Sequence, residues 1–215
     1  MSPRALDPTL VLVTDPVLCG ASELAAVVAA ALRGGATVVE LRDKQASTRQ
    51  LVADAFRLCE LCHAAGAPLL VNDRVDVALA AGADGVHLGQ QDMSLAHARR
   101  LLGPEAIIGV SVRTPDEARA AEQGGASYLA ANGVWATATK TDFGQPLGLE
   151  ELARLAARSA LPLVAIGGIY AGNAGQVRRA GAAGIAVVSV VMTAADPEAA
   201  CRELRAAFAA GPERR

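Results

Sequence analysis

Two aspartates, Asp73 and Asp92, and three cations, Arg42, Lys44 and Lys140, stand just beyond short β-branched runs, ahead of the Ala/Leu-rich stretches that follow them. Carboxylates offered from neighbouring loops suit Mg²⁺, which takes one or two of them and fills its shell with water and phosphate oxygens. Each aspartate could instead cap the helix behind it, and Asp73 lies immediately ahead of the helical pattern that starts at Val75. Arg42 and Lys44 alternate along one strand end, so both can project to one side and meet a single phosphate. Lys140 would face them from across the site. Cations grouped in this way stabilise the charge that gathers on a departing diphosphate, which is electrostatic catalysis without proton transfer.

Further polar residues occupy the same kind of position: Glu40 and Asp43, Asn72 and Arg74, His87 and Gln90, and Ser111. Thr137-Ala138-Thr139 supplies hydroxyls and backbone N–H groups in a short loop suited to a phosphate. Gly167-Gly168 and Val188-Ser189 stand where α/β barrels commonly build a phosphate site at a following helix. His87 could serve as a general base, but a packed, hydrogen-bonded imidazole is the preferred reading. His63 and His97 fall on helical stretches and read as structural. Cys59 and Cys62 have the spacing of half a zinc site, yet no second pair accompanies them and both lie within a helical pattern, where Cys is ordinary filler.

The elements that must position these groups repeat along the chain. Strands are expected at Leu10–Thr14, Thr37–Arg42, Pro68–Asn72, Gly85–His87, Ala106–Ser111, Tyr128–Asn132, Leu161–Ile166 and Gly184–Ser189. Helices are expected at Ser22–Arg33, Ser47–Ala64, Val75–Ala81, Ser94–Leu102, Pro115–Gln123, Leu149–Ser159, Asn173–Ala180 and Pro197–Ala209. Alternation of this kind predicts an α/β fold with a parallel sheet, and eight repeats predict a single-domain (β/α)8 TIM barrel over residues 1–211, with a tail at 212–215. An open doubly wound sheet would place a Gly-rich loop after its first strand, and Asp15-Pro16-Val17-Leu18-Cys19 is no such loop. In a barrel the strand C-termini carry the chemistry, which is where the polar residues named above cluster.

Composition agrees. Hydrophobic residues make up 52% of the chain and aromatics only 3%, so the core must be Ala, Val, Leu and Ile, as in helices packed on a parallel sheet. The 20 basic and 22 acidic residues are scattered and leave a formal charge of −2, which gives nucleic acid no basic face to bind. The N-terminus lacks a signal pattern and the apolar runs are too short for a bilayer, so a cytoplasmic protein without a membrane role is expected, acting on small-molecule substrates. Apolar barrel exteriors leave room for a homo-oligomer.

Seven stretches together make the chain resemble the thiamine phosphate synthase family along nearly its whole length. They are Leu41-Arg42-Asp43-Lys44, Asn72-Asp73-Arg74, Ala83 through Asp92, Gly109-Val110-Ser111, Thr137-Ala138-Thr139-Lys140, and the pair Ala165-Ile166-Gly167-Gly168-Ile169 and Val187-Val188-Ser189. The resemblance implies that hydroxymethylpyrimidine diphosphate is joined to hydroxyethylthiazole phosphate, or its carboxylated form, giving thiamine phosphate and pyrophosphate with the help of Mg²⁺. It implies Asp73 and Asp92 as metal ligands. It places Arg42, Lys44, Asn72, Ser111 and Lys140 against the pyrimidine diphosphate, and Thr137, Ala138, Thr139, Gly168, Val188 and Ser189 against the thiazole phosphate. Pyrophosphate would leave first, the electron-rich pyrimidine carrying the cation until the thiazole nitrogen attacks.

The chain departs from the family pattern in several places. Glu40 stands where Gln usually contacts the pyrimidine ring; a carboxylate accepts from an exocyclic amine but cannot donate, so altered binding is expected. Ser127 replaces a customary Asp, Ala130-Ala131-Asn132-Gly133 replaces a Gly-x-Gly-Pro stretch, and Ala136 replaces a Pro. Two rival functions remain open. A thiazole tautomerase on a related barrel would have little use for an aspartate pair and diphosphate cations. A non-catalytic barrel that binds a thiamine precursor would need recognition residues but not the leaving-group machinery.

Overall fold

The computed structural model describes residues 4–19, 23–137 and 145–211. Eight strands, β1 (Leu10–Val13), β2 (Val38–Leu41), β3 (Leu69–Asn72), β4 (Gly85–Leu88), β5 (Ile107–Val112), β6 (Tyr128–Asn132), β7 (Leu163–Ile166) and β8 (Gly184–Val187), pair in parallel and in sequence order, and β8 closes on β1. Helices α1 (Leu24–Arg33), α2 (Thr48–Ala64), α3 (Val75–Ala81), α4 (Leu95–Leu102), α5 (Pro115–Gln123), α6 (Gly148–Arg158) and α7 (Ala171–Arg179) follow the first seven strands. A short α8 (Ser189–Met192) and the longer α9 (Pro197–Ala209) follow the eighth. The expected (β/α)8 barrel is therefore the fold. Ala138, Thr139 and Lys140, and the proposed tail at 212–215, lie outside the described residues.

Local chemistry accounts for the boundaries. The Ser47 hydroxyl accepts from Gln50 N at the start of α2, and the Asp196 carboxylate accepts from Ala199 N ahead of Pro197 in α9. Thr114 and Glu117 cap α5 reciprocally, each side chain accepting from the other residue's backbone N–H. Expected and observed ends agree within about two residues at most elements, with three informative differences. Helix α7 begins at Ala171, two residues before the expected Asn173, because Asn173 caps it from inside, its Oδ1 accepting from Tyr170 N at 2.9 Å. β8 stops at Val187 instead of Ser189: the backbone turns at Val188 (φ −122°, ψ −88°) and Ser189 opens α8. A 3-10 turn at Pro16–Cys19 was also not foreseen. Both missed helices are mostly apolar runs of only four residues, in which periodicity cannot separate strand from helix.

Strand side chains divide between two layers. Val11, Val13, Val38, Leu70, Ile107, Tyr128, Ala130, Val164 and Ala186 pack inside the barrel. Their neighbours, such as Leu10, Leu12, Val39, Leu41, Val71, Val86, Ile108, Leu129 and Ala165, face the helices. Both faces are buried, which is why the strands read as unbroken apolar runs. All four cysteines are buried in this packing as reduced thiols. Burial pushes the Cys59 thiol up to about 11 and those of Cys62 and Cys201 to about 12, as the filler reading of these residues expects. At the strand N-termini Asp84 accepts from Leu69 N and pairs with Arg4 and His63, all at 2.9 Å, a stabilising cluster on the face opposite the strand C-termini. No helix among the described residues is long and apolar enough to cross a membrane.

Candidate active site

A cavity of about 600 Å³ opens at the C-terminal ends of the strands. Part of its inner floor is apolar, from Val11, Val13, Ala130, Val164 and Ala186, and beside these it holds Glu40, which is only 5% exposed. Every described residue assigned to the site from sequence lines it: Glu40, Arg42, Lys44, Asn72, Asp73, Asp92, Ser111, Thr137, Gly168, Val188 and Ser189. Asp43 and Arg74 stand apart from it. Asp43 closes its own loop by accepting from Gln45 N and Ala46 N, and Arg74 pairs with Asp76 and donates to Thr48.

Asp73 stands one residue past β3 with φ +62°, the one non-glycine residue in the left-handed region among those described. Aspartate tolerates that conformation better than most residues, and strained backbone concentrates at functional sites. Its N–H donates to His87 O at 2.8 Å, which ties the bend to β4. The helix behind it starts from Arg74 without a side-chain cap, so Asp73 does not serve as the cap of α3. Its carboxylate instead accepts from Asn72 Nδ2 at 3.0 Å and from the Lys44 ammonium, and it stands close enough to Asp92 for each to shift the other's proton affinity. Asp92 also accepts from Gly89 N at 2.7 Å, while Ser94 caps α4.

Two carboxylates this close oppose each other's ionisation. Burial raises Asp92 and the neighbouring Asp73 charge raises it further, so Asp92 is the one that holds the proton more readily. Burial pushes Asp73 up as well, but the Asp92 carboxyl and the Lys44 ammonium outweigh it and leave Asp73 below the ordinary aspartate range. The pair offers hard oxygen donors of the kind a divalent cation uses. Among the described residues no group of three or more His, Cys, Asp and Glu side chains could hold a metal, so water and substrate oxygens would complete the shell.

Arg42 is held by its backbone, its N–H donating to Thr14 Oγ1 at 2.9 Å and Thr14 Oγ1 donating to Arg42 O at 3.2 Å. Its guanidinium lies 3.7 Å from Asp15, a partner that a phosphate could displace. On the opposite wall Gly167 and Gly168 let the chain after β6 approach closely. A Cβ on Gly167 would fall 2.8 Å from Gly133 Cα, and one on Gly168 2.8 Å from Trp135 Cβ. Gly133 itself takes φ +71°, with its N–H donating to Ile166 O at 2.9 Å. The Asn132-Gly133 departure is thus a backbone feature, since a proline at 133 could neither adopt that φ nor make that bond.

Sequence reasoning missed Arg113, Glu117 and Tyr128, all of which line the cavity. The Arg113 guanidinium donates to Asn132 O at 2.7 Å and Gln145 O at 2.6 Å, and Glu117 accepts from Arg113 N at 2.6 Å. Tyr128 shares strand parity with Ala130 and Asn132, a signal that would have placed it inside. His87 is packed and hydrogen-bonded, 7% exposed, as preferred.

The comparisons converge on one lineage. A family model described as thiamine monophosphate synthase matches residues 10–191. A thiamine-phosphate synthase of Roseiflexus sp. (strain RS-1) is 49% identical over 203 residues, covering 94% of this chain and 86% of that one. One of Chloroflexus aurantiacus is 51% identical over 201 residues, covering 94% and 93%. Among solved structures, a thiamine phosphate pyrophosphorylase from Pyrococcus furiosus superposes with a TM-score of 0.87 at 40% identity, covering 94% of this chain and 96% of that one. With the barrel closed and the motif residues gathered at one mouth, the chain belongs to the thiamine monophosphate synthase family.

Proposed function

We propose that this chain is a transferase that joins hydroxymethylpyrimidine diphosphate to hydroxyethylthiazole phosphate, or its carboxylated form, releasing pyrophosphate and thiamine phosphate with Mg²⁺ bound. One observation carries the reading. The aspartate pair and the cations that follow β2 occupy one wall of a cavity whose other wall holds Thr137, Gly168, Val188 and Ser189, so two phosphorylated molecules can lie end to end in a single space. The volume of about 600 Å³ suits ligands of that size.

Each residue then has a task. Arg42 and Lys44 are fixed cations that neutralise charge as it builds on the departing diphosphate, and Asn72 and Ser111 can add hydrogen bonds to its oxygens. Lys140 is proposed to join them. Asp73 and Asp92 would hold Mg²⁺, which when bound supplies Lewis-acid neutralisation of the diphosphate oxygens. Glu40 would accept from the exocyclic amine of the pyrimidine. The apolar floor keeps water from the ring while it carries positive charge. Thr137, with Ala138 and Thr139, and Gly168, Val188 and Ser189 would hold the thiazole phosphate so that its ring nitrogen faces the methylene carbon.

Incubating the protein with the pyrimidine diphosphate, each thiazole phosphate and Mg²⁺ should yield thiamine phosphate and pyrophosphate, and chelation of the metal should stop it. Isomerisation of a thiazole carboxylate phosphate without metal would favour the tautomerase instead. Tight binding of both substrates with no turnover would leave only a binding barrel.

A further inference from the structure

At the cavity floor, where β4, β5 and β6 lie side by side, three side chains form one hydrogen-bonded chain. Tyr128 Oη lies 2.9 Å from His87 Nδ1, and His87 Nε2 lies 2.9 Å from Ser111 Oγ. Strand register builds it. His87 stands opposite Gly109, and Gly109 opposite Tyr128, so the phenol crosses a position that has no side chain. A Cβ at Gly109 would fall 2.2 Å from the Tyr128 ring. Tyr128 is 2% exposed, and His87 and Ser111 are each 7% exposed, yet all three reach the cavity lining.

Counting protons along the chain allows two directions, one for each tautomer of the imidazole. A neutral imidazole has one N–H and one acceptor nitrogen, whereas a hydroxyl has one hydrogen to give. Burial, and then the charge of Glu40, push the Tyr128 phenol well above its ordinary pKa, so it keeps its hydrogen. When that hydrogen goes to His87 Nδ1, the imidazole must carry its own on Nε2 and donate it to Ser111 Oγ. The Ser111 hydrogen is then left to point at whatever fills the cavity. Without the phenol, nothing requires Nδ1 to be the acceptor. In the other tautomer Nε2 takes the Ser111 hydrogen, and an anion in the cavity meets the oxygen lone pairs instead.

We propose that Tyr128 is a positioning residue: through the tautomer it imposes on His87, it holds Ser111 as a hydrogen donor to the anionic group bound in the cavity. The inference rests on the reading of this cavity as a diphosphate site. Neither Tyr128 nor His87 takes part in that reading, in which, of these three side chains, only Ser111 contacts the substrate.

The test combines inorganic pyrophosphate titration in the presence of Mg²⁺, steady-state kinetics, and ¹⁵N NMR of imidazole-labelled protein. Tyr128→Phe should weaken pyrophosphate binding and lower kcat/KM roughly tenfold, the order of one hydrogen bond to a charged group. Ser111→Ala should lose about as much, and the double variant should be no worse than Ser111→Ala alone, because both changes remove the same donor. The His87 resonances, assigned by their loss in His87→Gln, should show hydrogen on Nε2 in the wild type and a shift toward Nδ1 in Tyr128→Phe. A packing role would leave the tautomer unchanged and make the losses multiply in the double variant, and either result overturns the proposal. So does a Tyr128→Phe protein that binds pyrophosphate as the wild type does. A wild type that neither binds pyrophosphate nor turns over would remove the functional reading and this inference together, whereas an active wild type with an unaffected Tyr128→Phe removes only the inference.

Discussion

Replacing Gly133 by proline, the residue customary in the family at that position, should damage this protein. Gly133 sits at φ +71°, far from the value of about −65° that the pyrrolidine ring imposes, so the loop must distort at a cost of about 3 kcal/mol. Its N–H donates to Ile166 O at 2.9 Å, and losing that bond costs about 1 kcal/mol. The loss stays near that value because Ile166 O still accepts from Val134 N at 3.0 Å and is not orphaned. The sum, about 4 kcal/mol, is a large part of the ~5–15 kcal/mol that typically holds a domain together. For a barrel of this size it corresponds to a drop of roughly 8–16 °C in Tm. Gly133→Ala keeps the N–H and pays about 1–2 kcal/mol for the left-handed conformation. Calorimetry of the three proteins measures this directly. Because Thr137 follows four residues later in the same loop, Gly133→Pro should also raise KM for the thiazole phosphate more than for the pyrimidine diphosphate. A Gly133→Pro protein as stable as the wild type, or Gly133→Ala as damaged as Gly133→Pro, would refute the reasoning.

Three further outcomes are expected. Lys44→Ala removes a cation from the cavity wall and the ammonium partner of Asp73; kcat/KM should fall at least ~100-fold while Tm changes by no more than a few degrees, since the Lys44 side chain is 58% exposed. In metal-free protein Asp92 is raised, so its contribution is favourable at low pH and is lost as pH climbs through its folded pKa, whereas the lowered Asp73 adds stability as pH rises toward the ordinary aspartate range. Asp92→Asn should abolish the first effect and the stabilisation by Mg²⁺, which thermal unfolding across pH with and without the ion would measure; Mg²⁺ stabilising Asp92→Asn as it does the wild type would contradict the pairing. Asp84→Ala should lower stability by about 2–3 kcal/mol, because it strands Arg4, His63 and Leu69 N together at the barrel base, while leaving kcat within twofold in steady-state assays.

Much of the fold could be read from residue order because a parallel barrel writes itself locally. Each β-branched run between capped, Gly-ended helical stretches becomes a strand buried on both faces, and β6, α3, α5 and α9 fall within the expected limits. The failures share one cause. Val187 through Met192 is apolar but for Ser189, so the change from β8 to α8 at Val188 depends on backbone torsion that hydrophobicity does not encode. Polar residues at strand ends were equally legible, but their partners were less so. Asp43 and Asp73 both follow strand ends as acidic residues, and only coordinates show that one closes its own loop while the other meets Lys44 and Asp92.

From the chain alone came the order of elements, the closed barrel and the set of groups standing at its mouth, since all three follow from periodicity, caps and position along each repeat. Tertiary structure decided which of those groups touch. The left-handed Asp73, the reach of Arg113 to Asn132 and Gln145, and the passage of Tyr128 over Gly109 to His87 and Ser111 all depend on how neighbouring strands are staggered when the sheet closes. Stagger is a property of the whole ring of strands, so no single stretch of sequence contains it.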